Sequence, residues 1–120
     1  MYKQLLPLLD IKLKHDSRIV STLAYVDSGA LDSIFNAELA RILEMDYRKG
    51  EELKPLGLGG HITAYLNDIT LIINGKRIET RVLFSDHIKF SFNLLGMNSF
   101  FNYFKICFDN KNGELVLEEF

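Results

Sequence analysis

The run Thr22-Leu23-Ala24-Tyr25-Val26-Asp27-Ser28-Gly29-Ala30 starts as an apolar, strand-forming segment and stops abruptly at a carboxylate, a hydroxyl, a glycine and an alanine. Val, Leu, Tyr and Thr fit a pleated, half-buried surface, so the run predicts a strand that delivers Asp27 to a fixed place. Gly29 lets the backbone turn tightly with no side chain in the way. By itself the triplet Asp27-Ser28-Gly29 is compatible with an ordinary turn, because Asp and Ser side chains bond to their own backbone. The neighbouring segments decide between a turn and a site.

Upstream, residues 8–14 alternate apolar and polar, the period of a half-buried strand. His15-Asp16-Ser17 is turn-like, so residues 8–14 and Ile19 to Val26 read as a hairpin whose second arm carries Asp27. Downstream, Phe35, Leu39, Ile42 and Leu43 fall at helical spacing and predict a short helix over Asn36 to Glu44 behind the loop, capped by Asn36 or Ser33. Arg48 to Glu52 is charged and expected to be exposed, and Pro55 argues against a central strand there.

Three glycines, Gly57, Gly59 and Gly60, then fall within four positions. A phosphate cradle would open a helix, whereas these glycines lead into the strand-like Ile62-Thr63-Ala64-Tyr65-Leu66, so they predict the tip of a hairpin. Residues 69–73 and Ile78 to Phe84 flank Asn74-Gly75, the strongest short-range hairpin signal in the chain. Phe90 to Gly96 reads as a buried strand stopping at a glycine, and Met97 to Tyr103 as a short helix with Phe100 and Phe101 facing inward. Lys105 to Asp109 and Glu114 to Leu117 flank Asn110-Lys111-Asn112-Gly113 as a final hairpin. The sum is one mostly-β domain over residues 1–120, most economically a small closed or nearly closed barrel with one or two short helices.

Composition narrows the function classes. Apolar residues at 48% and charged ones at 25% describe a globular chain. Fourteen basic against sixteen acidic residues leave a formal charge of −2, without the basic footprint of a nucleic-acid binder. No long uncharged apolar run predicts a signal peptide or a membrane span. The single cysteine, Cys107, excludes an internal disulfide and suits a reducing, cytoplasmic compartment; it is expected as a small buried residue in a late strand. His15, His61 and His87 are not spaced as metal ligands, so no metal or other cofactor is expected. His61 is expected to be incidental, and His15 and His87 to face solvent.

In their order along the chain, three stretches resemble the retropepsin-like aspartic proteases, single-domain homodimeric relatives of pepsin. Asp27-Ser28-Gly29-Ala30 resembles the catalytic Asp-Thr/Ser-Gly-Ala loop. Gly57-Leu58-Gly59-Gly60-His61-Ile62 is similar to the glycine-rich flap that folds over substrate, and Leu94-Leu95-Gly96-Met97-Asn98 to the apolar pair and glycine beneath the catalytic loop. The resemblance covers roughly residues 8–118 and is closer to the cellular and prokaryotic branch, because retroviral members lack a helix after the catalytic loop.

What the resemblance implies is an endopeptidase. Peptide hydrolysis by carboxylates needs one ionised group to accept a proton from water and one protonated group to donate to the carbonyl oxygen. Two crowded carboxyls share one proton and supply both. The chain has one such loop, so the enzyme would be a homodimer with two copies of Asp27 on its axis. Ser28 would bond across the dimer, Gly29 would leave room for substrate backbone, and Gly57, Leu58, Gly59, Gly60 and His61 would close over a peptide or unfolded protein. Ala30, Leu31, Asp32, Ile62, Phe84, Leu94 and Leu95 are the expected walls of the groove, Asp32 alternatively capping the helix. Where retroviral members commonly pair an aspartate with an arginine, this chain has Leu31 and Met97, expected as packing that replaces a buried ion pair. A binding module that keeps dimer and groove with little turnover is the alternative; a barrel adaptor would leave the glycine-rich segment unexplained.

Overall fold

The computed structural model describes residues 8–27, 29–57, 60–89, 93–109 and 111–120. Its framework is two antiparallel hairpins. Strands β1 (Leu8–His15) and β2 (Arg18–Val26) pair from Leu8↔Tyr25 to His15↔Arg18. The alternation read in β1 is the alternation observed: Ile11 and Leu13 are buried while Asp10 and Lys12 face out. The second hairpin joins β7 (Ala64–Ile73) to β8 (Lys76–Ser85) through Asn74 and Gly75, at φ 51° and 79°. Positive φ at both central residues is the mirror-image turn whose twist matches that of the flanking strands, and Asn-Gly adopts it readily.

Short strands add to these hairpins: β3 (Ile34–Asn36), β4 (Glu51–Leu53) and β9 (Leu94–Leu95) in the main sheet, and β5 (Leu56–Gly57) with β6 (Gly60–His61) as a separate pair. The main sheet runs β1-β2-β9-β3-β8-β7-β4, and β1 also pairs with β7 through Lys12↔Ile72 to Lys14↔Thr70. The sheet therefore curls back upon its first strand around a core that includes Leu13, Phe35, Leu39, Leu71, Ile73, Phe84, Leu95 and Phe100. Pro55 lies outside β4, which is an edge strand, as a residue without an N–H requires.

The helix is shorter than its spacing predicts. Helix α1 spans Ala37–Ile42, with Asn36 as its cap, accepting from the Glu38 N–H at 2.8 Å. Phe35 lies instead on β3, where the parallel partner β8 supplies backbone bonds that a helix would otherwise have to supply, and Ile42 is largely exposed. After β9 comes one wide turn, α2 (Met97–Phe101), in which the N–H groups of Phe100 and Phe101 both point to the Gly96 carbonyl at 3.2 and 3.3 Å. Phe100 is sealed in the core and Phe101 half-buried; the element ends before Tyr103.

Strands β10 (Phe104–Asp109) and β11 (Glu114–Glu119) form a separate two-stranded sheet. Phe104 is buried, and Ile106, Leu115 and Leu117 rest on the core. Cys107 is exposed, contrary to expectation, because strand alternation turns it to the face opposite Ile106, beside Val116. Among the described residues no helix is long and apolar enough to cross a membrane.

Candidate functional site

The site forms where β2 runs parallel to β9, Tyr25↔Leu94 and Val26↔Leu95. Buried Asn93 prepares this crossing. Its carboxamide oxygen accepts from the Asn36 N–H at 2.9 Å, and its amide donates to Thr22 Oγ1 and the Leu23 carbonyl, both at 3.1 Å. One side chain thus ties together β2, β3 and the approach to β9. An amide buried without partners would cost several kcal/mol, so the need to satisfy it specifies the arrangement of the strands.

Asp27 follows directly. Its N–H donates to the Leu95 carbonyl at 3.0 Å, its Oδ1 accepts from the Gly29 N–H at 2.8 Å, and its carbonyl accepts from the Ala30 N–H at 3.1 Å. A Cβ on Gly29 would stand 3.2 Å from that carboxylate oxygen, so glycine keeps the approach to Asp27 open. The residue is half-buried, its backbone fixed by Leu95 and Ala30 and its carboxylate oriented by the Gly29 amide. Ser28, the second expected site residue, lies outside the described residues.

Beneath the loop, segment 94–98 is locked by backbone contact. The Met97 and Asn98 N–H groups donate to the carbonyls of Ala30 and Leu31, both at 2.9 Å, and the Gly96 N–H donates to Ser33 Oγ at 2.9 Å. The Ser99 hydroxyl bonds to the same Ser33 oxygen. A Cβ on Gly96 would meet Asp32 O at 2.6 Å and Ala30 O at 2.8 Å, closer than real side chains approach backbone. Glycine at 96 is therefore demanded by the crossing itself. Ser33 acts as a clamp within the loop, leaving the helix cap to Asn36.

Several expected wall residues have other places. Phe84 and Leu95 have no exposed surface in the protomer and belong to the core, Phe84 beside Phe35 and Tyr47 with ring centroids 6.3 Å away in each case. A sealed side chain offers no face to a ligand. Asp32 caps no helix; its Oδ1 accepts from Asn98 Nδ2 at 3.2 Å, and with Leu66, Thr80, Arg81 and Asn98 it lines a hollow of about 320 Å³. Leu31 and Met97 are 67% and 43% exposed, so they do not replace a buried ion pair by packing within the protomer. Leu94 is half-buried. Another depression, about 550 Å³, lies around Lys14, His15, Asp16, Asp68 and Arg81; Asp27 lines neither of these two.

The glycine-rich segment is a hairpin: β5 and β6 pair through Leu56↔His61 and Gly57↔Gly60, with Gly60 at φ 122°. Leu58 and Gly59 lie outside the described residues. The Ile62 N–H donates to the Pro55 carbonyl at 3.0 Å, and His61 Nδ1 sits 3.0 Å from the Lys54 carbonyl. Its base is anchored at Thr63, whose N–H donates to His87 Nδ1 at 3.1 Å and whose carbonyl accepts from Ser85 Oγ at 2.6 Å. His87 is exposed, as read from the sequence, yet an accepting Nδ1 also gives it this anchoring contact.

One cluster has no counterpart in the sequence reading. Asp86 accepts from Arg41 at 2.5 Å, from the Tyr47 hydroxyl at 2.7 Å and from Arg48 at 3.3 Å, tying α1 and the turn at Tyr47–Lys49 to the end of β8. Arg41, then Tyr47, hold the Asp86 carboxyl below the usual carboxylate range; burial, then the bond to Asp86, raises the Tyr47 phenol. The cluster fixes the region that carries Ser85 and His87. Among the described residues no group of three or more His, Cys, Asp or Glu side chains is placed to hold a metal.

No family model matches the chain. No curated protein matches it. Among solved structures it is similar to the EIAV protease complexed with the inhibitor HBY-793, at 19% identity and a TM-score of 0.55, over 76% of this chain and 81% of that one. The likeness shows a fold of the retroviral-protease kind.

Proposed function

We propose that this chain is an aspartic endopeptidase whose working unit is a homodimer, with one Asp27 carboxyl from each copy forming the catalytic pair. The observation that carries this reading is the fixed presentation of Asp27, held by the Leu95 carbonyl behind it and the Gly29 amide beside it, above a crossing that tolerates only glycine at 96. A turn aspartate makes the amide bond alone; the parallel crossing and the sterically required glycine are further structure built around it. The shared fold with a retroviral protease supports the same reading.

In the proposed reaction the ionised carboxylate of the pair takes a proton from water while the protonated one donates to the peptide carbonyl oxygen. The water oxygen bonds to the carbonyl carbon, the resulting diol collapses, the C–N bond breaks and the leaving nitrogen receives a proton. No cofactor takes part. Ser28 and Gly29 shape the loop, and the hairpin Gly57 to His61, with Ile62 at its base, covers the bound peptide. Ala30, Leu31, Asp32 and Leu94 border the groove. Substrates are peptides or unfolded protein segments, and a chain whose one cysteine is free suits the cytoplasm.

The test is a diverse peptide mixture incubated with wild type and Asp27→Asn from acidic to neutral pH, cut sites being read by mass spectrometry. Cleavage by wild type alone, rising more steeply than linearly with protein concentration, supports the proposal. Equal cleavage by Asp27→Asn, or none from a folded dimer, overturns it, and the second outcome assigns the groove to binding.

A further inference from the structure

Thr63 stands between the glycine-rich hairpin and β7, and both of its backbone groups are held by side chains of one loop. Buried Ser85 donates to the Thr63 carbonyl at 2.6 Å, and Nδ1 of exposed His87 accepts from the Thr63 N–H at 3.1 Å. That loop is itself well supported. Ser85 Oγ accepts from the His87 N–H at 3.0 Å, Asp86 is held by Arg41, Tyr47 and Arg48, and Asn36 Nδ2 donates to the Ile88 carbonyl at 2.5 Å. The two histidines at this base face opposite partners. His61 Nδ1 meets the Lys54 carbonyl, an acceptor, so it carries a proton and donates whether the ring is neutral or charged. His87 Nδ1 meets an N–H, so it must be bare, with the ring proton on Nε2. A second proton enters at Nδ1 and sets donor against donor. We propose that His87 is a proton-sensitive positioning residue: its neutral ring fixes the base of the hairpin for closure over a peptide, and its protonation frees that base.

The link to peptide rests on the hairpin acting as its cover, as proposed above; a fixed base leaves less chain to order when a peptide binds, so neutral His87 favours binding. The charged and titratable groups around this base are Lys54 and His61 on the hairpin arms and Asp86 and Lys89 on the loop. Behind Asp86 stand Glu38 and Arg41 of α1, with Tyr47 and Arg48 of the following turn. Of these residue types only imidazole ordinarily changes charge between about pH 5 and 8. Asp86, held below the usual carboxylate range, and the two arginines, held above theirs, keep the loop in place over that interval. Protonation of His61 leaves its own contact intact, so a change at Thr63 within the interval reports on His87. The Ser85 bond to the Thr63 carbonyl involves no titrating group, so the hairpin is loosened while staying attached.

Nuclear magnetic resonance on the isotope-labelled full chain, titrated between about pH 5 and 8, tests the assignment by following the histidine ring nitrogens and amide exchange corrected for its intrinsic pH dependence. In wild type the His87 ring should carry its proton on Nε2 at the alkaline end. Protection of the Thr63 amide should fall about fivefold as His87 takes up its second proton, the ratio that corresponds to one net hydrogen bond. The Ile62 amide, bonded to the Pro55 carbonyl within the hairpin, should keep its protection and serves as the internal control. His87→Asn, which retains an acceptor near the Nδ1 position, should keep Thr63 protected throughout; His87→Lys, a fixed charge without an acceptor, should leave it unprotected throughout. At one neutral pH the peptide KM of His87→Lys should exceed that of His87→Asn about fivefold with kcat the same. A proton on His87 Nδ1 at the alkaline end, Thr63 protection that is flat across the His87 titration or still titrates in His87→Asn, or equal KM values for the two variants overturns the proposal. Absence of cleavage in wild type removes the catalytic reading alone, since Thr63 exchange is measured without substrate, and cleavage by wild type with flat Thr63 protection removes this proposal alone.

Discussion

Replacing Gly96 by alanine adds one methyl group where the backbone leaves no room. The new Cβ would lie 2.6 Å from Asp32 O, 2.7 Å from Asp32 C and 2.8 Å from Ala30 O. Ordinary contact begins at 3.4 Å, so the Ala30–Asp32 backbone would have to move away by about 0.8 Å. Three hydrogen bonds span this gap: Gly96 N–H to Ser33, Met97 N–H to Ala30 and Asn98 N–H to Leu31. Overpacking costs about 1–3 kcal/mol, and each stretched bond forfeits part of a net contribution of about 1 kcal/mol. The expected destabilisation of Gly96→Ala is about 3 kcal/mol, a fall in Tm of about 10 °C for a chain of this size. Urea and thermal unfolding should be recorded at one fixed protomer concentration, because self-association shifts apparent stability. Gly75→Ala is the control: nothing lies within 4 Å of its Cβ, so only its φ of 79° opposes alanine, costing about 1 kcal/mol. A Gly96→Ala protein within about 0.5 kcal/mol of wild type would refute the claim that the crossing demands glycine.

Two further outcomes follow from particular contacts. Asn93→Ala leaves the Asn36 N–H and the Leu23 carbonyl without their buried partner, and should lower stability by about 2–4 kcal/mol in urea unfolding; a change below about 1 kcal/mol would show that water or backbone rearrangement replaces it. Asp86 has its carboxyl pKa lowered in the folded state by Arg41 and Tyr47, so its contribution is present above the unfolded carboxylate value and lost as pH falls through the lower, folded value. The stability gap between wild type and Asp86→Asn should therefore be open at neutral pH and close in the acidic range below about 4, modestly because the pair is partly solvated. A gap that is constant with pH would refute the ionic account.

Local signals were sufficient wherever one strand or turn decides its own conformation. Alternation marked β1, Asn74-Gly75 marked the turn between β7 and β8, and the apolar run ending at Asp27-Ser28-Gly29 marked the strand and loop of the candidate site. These are near-neighbour effects: side-chain period, φ preference and turn chemistry. The glycine pair Gly57 and Gly60 likewise announced a hairpin by leading into a strand where a phosphate cradle would lead into a helix.

Tertiary structure decided what depends on neighbours distant along the chain. Phe35 has helical spacing, yet β8 draws it into a strand. Ser33 resembles a cap, yet serves Gly96 and Ser99, while Asn93, lying in a run that reads as buried strand, becomes the polar tie between β2 and β3. Phe84 and Leu95 have the residue types of pocket walls but are sealed from both faces. Leu31 and Met97 have the residue types of a packed pair but stand in solvent. Residue type and period determine which side chains prefer burial; only the folded chain determines which of them find a covering layer, because that layer comes from segments tens of residues away.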